Sequence, residues 1–229
     1  KSFKSTIKNQ SKMNSIEIIG NGSLEQMDKF VTLAEEQGYQ IIHIRHCLLG
    51  KDEIVKKVGG IDVLVNNAGA CYEYKHFSAL DEPAWDRMIA LHTKAPFFLA
   101  REAFKHMKKQ GWGRIINITT NAVKHGGANN MHYYASKAAL DALTLGFARE
   151  GAKHNILVNS IRCGVIDTPM RKKIKGYSEA LFKRRIELIP LKRIGRPIDV
   201  ARMVLFLASE GGDFITGEIS LLETILFML

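Results

Sequence analysis

The sequence predicts an α/β fold in which a parallel, doubly wound sheet is covered by helices on both faces. Short apolar, β-branched runs that are typical of buried strands alternate with amphipathic segments at helical spacing. The length of 229 residues is enough for one domain with a substantial core. No internal repeat or low-complexity linker divides the chain. We therefore expect one domain over residues 1–229.

The elements follow one another in a regular order. Ser23 and Gln26 form a capping box that starts an early helix, and Gly38 ends it. Pro83 suits the first turn of a long helix, and Pro96 predicts a bend inside that helix. The predicted strands are 15–19, 39–44, 61–65, 114–119, 156–161 and 218–222. The predicted helices are 23–37, 51–58, 81–110, 131–153, 178–188 and 197–209.

One strand and the helix after it carry the residues with the most distinctive chemistry. The strand ends in Thr120, and the helix holds Tyr133 and Lys137, which share one face because they are four residues apart. A nearby ammonium stabilises a phenolate and lowers the pKa of the phenol, so that the phenol can exchange a proton with a carbonyl or an alcohol. Thr120 can hold the substrate oxygen. The alternative is a surface tyrosine beside a solvated lysine.

Charge and cysteine content limit the classes of function. The net charge is +10, and basic residues cluster around Arg171, Arg184 and Lys192. These clusters are either a solvated charged face or a surface that attracts acidic partners. No nucleic-acid recognition motif accompanies them. Three cysteines without metal-like spacing indicate a reducing compartment, the cytoplasm, and no disulfide framework. The sequence shows neither a secretory signal nor an apolar run of about 20 residues, so it predicts neither secretion nor a membrane span.

Several further motifs strengthen the interpretation of Tyr133 and Lys137. They are Asn66-Asn67-Ala68-Gly69, the segment 159–169, Ile194-Gly195-Arg196-Pro197 and Phe214-Ile215-Thr216-Gly217. Together with Thr120 they resemble the short-chain dehydrogenase/reductase family over residues 62–217, in particular its 3-oxoacyl-carrier-protein reductase and sugar-dehydrogenase type. The resemblance implies a Rossmann-like sheet and an NAD(P)-dependent oxidoreductase that interconverts a ketone and a secondary alcohol.

The resemblance assigns a catalytic role to four residues. Tyr133 becomes the general acid/base, Lys137 tunes it and binds the nicotinamide ribose, and Thr120 replaces the usual serine. His92 occupies the position of the family's asparagine and would complete a proton relay. The alternative for His92 is a packed histidine that orders no water.

The resemblance also implies a set of cofactor contacts. Asn66, Ala68 and Gly69 would line the adenosine ribose, and Tyr133 and Lys137 the nicotinamide ribose. The nicotinamide and pyrophosphate would lie along Gly164, Val165, Ile166 and Thr168. Asn21, at the end of an early strand without an acidic residue nearby, favours NADP over NAD. The implied partners are a small or carrier-bound keto substrate and further copies of the chain, as a homodimer or homotetramer, with no nucleic acid and no membrane.

The front of the chain departs from the family pattern. Too few residues precede Asn66, and the Gly-rich phosphate turn is not visible, so the first strand-turn unit is missing or shortened. In one placement Ser15–Ile19 is the family's second strand and the central first strand is lost, which fits the order of elements. In the other, Ser15–Ile19 is itself the central strand, which avoids two unpaired edges inside the sheet.

Three hypotheses follow from these patterns. The first is the oxidoreductase, with the basic residues after Pro169 near a phosphopantetheine or acidic carrier substrate. The second is a truncated, catalytically impaired member that folds or oligomerises without turnover; the lost turn and the substitutions at Thr120, His92, Cys163 and Cys47 motivate it. Residues 222–229 also lack the family's Asp-Gly-Gly ending, which bears on the subunit contact. The third is a basic scaffold for acidic partners.

Overall fold

A computed structural model of the chain describes residues 15–19, 40–44, 61–71, 74–168 and 178–222. The strands are β1 (Ser15–Ile19), β2 (Gln40–Ile44), β3 (Val63–Asn66), β4 (Gly113–Thr120), β5 (Ile156–Cys163) and β6 (Ile219–Leu222). The α-helices are α1 (Glu82–Ile89), α2 (Ala95–Gln110), α3 (Ala122–His125), α4 (Met131–Ala152), α5 (Glu179–Leu188) and α6 (Pro197–Ala208). A π turn, Ala90–Lys94, joins α1 to α2.

The six strands form one parallel sheet in the order β2-β1-β3-β4-β5-β6. The predicted α/β, Rossmann-like fold class is therefore confirmed. The order reverses between β1 and β3, which is the switch point where ligands bind at the carboxyl ends of the strands in open α/β sheets.

The position of β1 decides between the two placements of the front of the chain. β1 pairs directly with β3, with Ile18 opposite Val65. The placement of Ser15–Ile19 as the family's second strand is therefore wrong, and β1 fills the central place. The physical reason is that a vacant central place would leave unpaired edges on both β3 and the strand beyond it. The order of elements along the chain carried no information on this hydrogen bonding.

The long helix predicted over 81–110 is divided at the point that Pro96 indicated. Asp81 caps α1, because its Oδ1 accepts a hydrogen bond of 2.8 Å from the backbone N–H of Ala84. The π turn Ala90–Lys94 then precedes Pro96, which occupies the first turn of α2. This turn carries His92 into the interior. α2 ends at Gly111, whose φ of 70° suits glycine.

The sheet has an aliphatic core on each face. On one side Val65, Ile116 and Ile161 pack against α6, and on the other Leu64, Ile115 and Val158 pack against α2. β4 and β5 both extend further toward their carboxyl ends than the sequence predicted. Thr120 is consequently paired with Cys163 in the register of the sheet.

Candidate active site

Thr120, Tyr133 and Lys137 come together at the carboxyl end of β4, as the sequence predicted. The Thr120 side chain lies close enough to the Tyr133 hydroxyl to lower the pKa of the phenol. The Nζ of Lys137 is buried and donates a hydrogen bond of 2.7 Å to the carbonyl oxygen of Ile118, two residues before the end of the strand. A hydroxyl, a phenol and an ammonium thus meet where β4 passes into the loop before α4.

The pKa of Tyr133 shifts in the direction opposite to the predicted one. Burial of the hydroxyl raises the pKa above its usual value, and the nearby Cys71 and Cys163 raise it further. The nearby Thr120 side chain acts in the other direction but does not outweigh the burial. The expectation of a lowered pKa is therefore wrong for this structure. The pKa of Tyr133 is raised because desolvation of the phenolate is the largest effect, while Nζ of Lys137 donates its hydrogen bond to a backbone carbonyl.

The pKa of Lys137 is lowered to about 8, mainly because the ammonium is desolvated. Two neighbours oppose this effect and favour the charged form, Cys163 on β5 and Asp141 on the same helix. The ammonium therefore remains the main form at neutral pH, although with a smaller margin than in water.

His92 lies fully buried between the loop after β3 and helix α4. Its Nε2 accepts a hydrogen bond of 3.2 Å from the backbone N–H of Ala70. Its Nδ1 lies 2.9 Å from Oγ of Ser136, which donates its own proton to the carbonyl oxygen of Tyr133 at 2.8 Å. Because both partners fix the direction of donation, the proton of the neutral ring lies on Nδ1.

The charge state of His92 agrees with this hydrogen bonding. Burial, followed by repulsion from Lys137 and His132, lowers the pKa of His92 to about 2. The imidazole is therefore neutral at physiological pH. In this geometry its two nitrogens bind protein groups, one on each side of the ring.

The predicted Asn66–Gly69 segment lies at the carboxyl end of β3. Asn66 is buried, and its Nδ2 donates a hydrogen bond of 2.7 Å to Oδ1 of Asn117. Its Oδ1 has no hydrogen-bond partner among the residues that the structure describes. Ala68 and Gly69 follow, and a Cβ on Gly69 would lie 3.6 Å from both Nζ of Lys137 and Nε2 of His92.

The second predicted cofactor segment, Gly164 to Thr168, follows β5 and is partly exposed. Ile166 bridges to Gly195, and the backbone of Asp167 donates a hydrogen bond of 2.8 Å to the carbonyl of Gly195. A Cβ on Gly195 would lie 2.4 Å from Cδ1 of Ile166, the movable end of that side chain, so the two residues are closely packed. Gly164 and Val165 are held by backbone bonds to Leu222 and Gly195.

Two buried polar groups near the site were not singled out in the sequence. Asn117 connects Asn66 to helix α4 through a 2.8 Å hydrogen bond to Thr144. Asp141 accepts hydrogen bonds from Thr119, Ser160 and Arg162. The visible signal is polar residues at alternate positions of two strands that otherwise read as buried.

Some predictions fall elsewhere. Asn21 and Cys47 lie outside the described residues, as do the basic cluster at 171–175 and residues 223–229. In the part of the chain that the structure describes, no three histidine, cysteine or acidic side chains are grouped as metal ligands. The helices described there are all too short or too polar to cross a bilayer.

A parallel sheet with a phenol and an ammonium at its carboxyl edge places the chain among Rossmann-like α/β proteins. A family model described as enoyl-(acyl carrier protein) reductase matches residues 50–223. This match covers most of the chain, which therefore belongs to the short-chain dehydrogenase/reductase family.

Relatives in this family have several activities in their names. The chain is similar to 3-oxoacyl-(acyl-carrier-protein) reductase FabG of Aquifex aeolicus, 38% identical over 170 residues that cover 73% of this chain and 66% of the relative. It is 37% identical over 175 residues to NADPH-dependent aldehyde reductase 1 of Arabidopsis thaliana, covering 76% and 59%. It is 36% identical over 168 residues to 3alpha-hydroxysteroid dehydrogenase of Mediterraneibacter gnavus, covering 73% and 66%. The chain thus spans about two thirds or less of these relatives.

Proposed function

We propose that the chain carries the catalytic region of an NAD(P)-dependent oxidoreductase that interconverts a ketone and a secondary alcohol. The observation that carries the proposal is the closeness of the Thr120 side chain to the hydroxyl of Tyr133. With Lys137 one helical turn further on, this pair lies beside the loop after β3, at the edge of the sheet where ligands of this fold bind.

The protonation state of Tyr133 favours carbonyl reduction, in which the phenol gives its proton to the substrate. Burial keeps Tyr133 as a neutral phenol, which is the acid form. Tyr133 donates its proton to the carbonyl oxygen of the substrate, and Thr120 holds that oxygen by a second hydrogen bond. The Lys137 ammonium stabilises the negative charge that develops on the phenol oxygen. In alcohol oxidation the same groups act in reverse.

The residues of the site fit a dinucleotide. NAD(P), when bound, supplies the hydride. The orphaned Oδ1 of buried Asn66 can accept a hydrogen bond from a ribose hydroxyl, and the lack of a side chain on Gly69 leaves room beside Lys137. Contacts from Ala68, Tyr133, Gly164, Val165, Ile166 and Thr168 complete the proposed cofactor set. The name of the plant relative and the predicted Asn21 support NADP over NAD.

His92 receives a positioning role in this proposal. The relay function expected from the resemblance needs a ring that exchanges protons near neutral pH, whereas the pKa of His92 is lowered to about 2. Its hydrogen bonds join Ala70, in the loop after β3, to the helix turn that carries Tyr133. The geometry therefore supports the alternative of a packed histidine, which here aligns the two halves of the site.

The proposed substrate is a 3-oxoacyl thioester on a carrier. The names of the similar reductases and the net charge of +10 support an acidic carrier as its source. Exposed Lys183 and Arg184 on α5 contribute to that charge. A homodimer or homotetramer in the cytoplasm remains the expected assembly and location.

The test is NADPH-dependent reduction of a 3-oxoacyl thioester by the chain of residues 1–229, followed by absorbance. Tyr133→Phe removes the proton donor and should lower kcat at least about 100-fold, the usual contribution of general acid catalysis. Tyr134→Phe is the matched control, because it removes the same hydroxyl group from a ring that lies beside that of Tyr133, at 5.9 Å between centroids. This control should retain most of the activity.

Calorimetric titration with NADPH separates this proposal from the impaired-member alternative. Binding together with turnover that Tyr133→Phe abolishes supports the enzyme. A folded chain that binds no NADPH and reduces no keto substrate would instead support the non-catalytic alternative.

A further inference from the structure

Asp141 is a buried carboxylate one helical turn beyond Lys137. Its side chain is only 5% exposed. Oδ1 accepts hydrogen bonds of 2.9 Å from Thr119 and 2.8 Å from Ser160, and Oδ2 accepts one of 2.8 Å from Nε of Arg162. Three donors from two strands thus converge on this one carboxylate. This arrangement suits an ionised carboxylate, which only accepts hydrogen bonds.

Lys137 is a buried cation whose hydrogen bond goes to an uncharged group, the carbonyl of Ile118. A buried ammonium needs an opposite charge to offset its loss of hydration. Residues four apart on a helix lie on the same face, about 5–6 Å apart at Cβ. Asp141 is therefore placed to supply that charge from beneath Lys137, on the side away from Tyr133.

Among the described residues, Asp141 is the one carboxylate that acts on the charge of Lys137. From β5 comes the thiol of Cys163, whose ionised form would attract the ammonium. The guanidinium of Arg162, also on β5, pairs with Asp141. From the π turn comes His92, which is neutral, and on α4 lie Tyr133 and His132. The charged form of Lys137 therefore depends on Cys163 and Asp141, and Arg162, which pairs with Asp141, offsets part of the charge of that carboxylate.

We propose that Asp141 is the buried counter-charge that keeps Lys137 protonated at neutral pH, and that Arg162 sets the strength of this effect. The inference rests on the proposed function, because it concerns the lysine that stabilises the Tyr133 oxygen. Asp141 is a positioning residue in this scheme. It acts on the reaction through Lys137 and touches neither Tyr133 nor Thr120.

The direct test is a pH titration of the Lys137 side chain by carbon-13 NMR on the chain without cofactor. Lys137→Arg identifies the signal. Asp141→Asn keeps the shape and one acceptor oxygen while it removes the charge. We expect it to lower the titration midpoint by about one pH unit, the lower end of the shift that a nearby charge produces. Arg162→Gln keeps a donor for Asp141 and removes the opposing charge, and it should raise the midpoint.

The opposite signs of the two shifts distinguish electrostatics from a structural role. If the network only supports packing, either variant loosens the site, hydrates Lys137 and raises the midpoint. An unchanged or raised midpoint in Asp141→Asn would therefore overturn the proposal. If Asp141→Asn alone does not fold, the double variant Asp141→Asn/Arg162→Gln is compared with Arg162→Gln. The double variant should titrate about one pH unit lower.

Activity measurements provide the second readout. In Asp141→Asn the alkaline limb of the kcat profile for reduction should move to lower pH by the same amount as the NMR midpoint. If the midpoint moves but no variant or parent chain shows turnover, the proposed function fails and the charge coupling stands. If the parent chain turns over but the midpoint does not fall, the coupling fails and the proposed function stands.

Discussion

The two faces of β4 and β5 differ in a way that explains how this sheet combines an apolar core with the polar edge of the candidate site. On the face toward α6, Ile116 and Ile161 belong to an aliphatic cluster, and Ile118 packs against it. On the face toward α4, the side chains change from apolar Ile115 to polar Asn117 and then Thr119 as β4 approaches its carboxyl end. One face is stabilised by packing, and the other increasingly by satisfied hydrogen bonds.

The same change occurs on β5, where Val158 lies in the α2 side of the core, while Ser160 and Arg162 bind Asp141 on α4. A polar interior is favourable only where each group finds a partner. The difference between the faces shows that the polar side chains of the candidate site begin inside the strands, two or three residues before their carboxyl ends. It also predicts that the two faces respond differently to substitution.

The largest effect is expected on the aliphatic face. Ile116→Ala removes a side chain that is 1% exposed and leaves a cavity against α6, so the free energy of unfolding should fall by ~2–5 kcal/mol. Ile116→Val, which removes one methylene, should cost ~0.5–1.5 kcal/mol. Urea denaturation measures both. Equal losses in the two variants would contradict a packing-dominated face.

On the polar face the losses should be smaller and coupled. Asn117→Ala leaves the Nδ2 of Asn66 and the hydroxyl of Thr144 without this partner, which should cost ~1–3 kcal/mol in the free energy of unfolding. Thr144→Ala breaks one of the same hydrogen bonds. The two losses should therefore not add, with an interaction energy of at least ~0.5 kcal/mol in a double-mutant cycle. Strict additivity would show that Asn117 and Thr144 are not coupled, and it would contradict a polar face that is stabilised by connected hydrogen bonds.

The buried His92 and the exposed His125 should differ in how they affect the pH dependence of stability. His92 has a pKa lowered to about 2 in the folded chain, so below its usual value of 6.5 the unfolded chain binds the extra proton. Stability should therefore fall as the pH decreases, by ~2 kcal/mol between pH 6.5 and pH 5 from this residue. His92→Gln should lose that part of the dependence, as measured by denaturation at both values. The exposed His125→Gln is the control, and it should retain the dependence of the parent chain.

The smallest effect is expected away from both faces. Phe214 is fully exposed in the turn before β6. Phe214→Ser should change the free energy of unfolding by no more than ~0.5 kcal/mol, because it removes no buried contact. A larger loss in thermal denaturation would mean that this side chain contributes to the stability of the β5–β6 region.

The sequence anticipated those parts of the fold that depend on local pattern. The strands at Ile156 and Ile115 were visible as β-branched runs, and Pro96 marked the place of the π turn. Residue types and helical spacing predicted that Thr120 and Tyr133 meet, and the structure brings the Thr120 side chain close to the Tyr133 hydroxyl. The network around Asp141 was not anticipated, since its partners come from two other elements distant in the chain.

The sequence by itself determined the fold class and the family, because periodicity and residue chemistry are written along the chain. Only the tertiary structure decided that Ser15–Ile19 is the central strand, because strand pairing is a contact between distant segments. It also decided that Tyr133 is a neutral phenol and His92 a neutral, fixed ring. Desolvation depends on what surrounds a group in three dimensions, and for both side chains it outweighs the local partners.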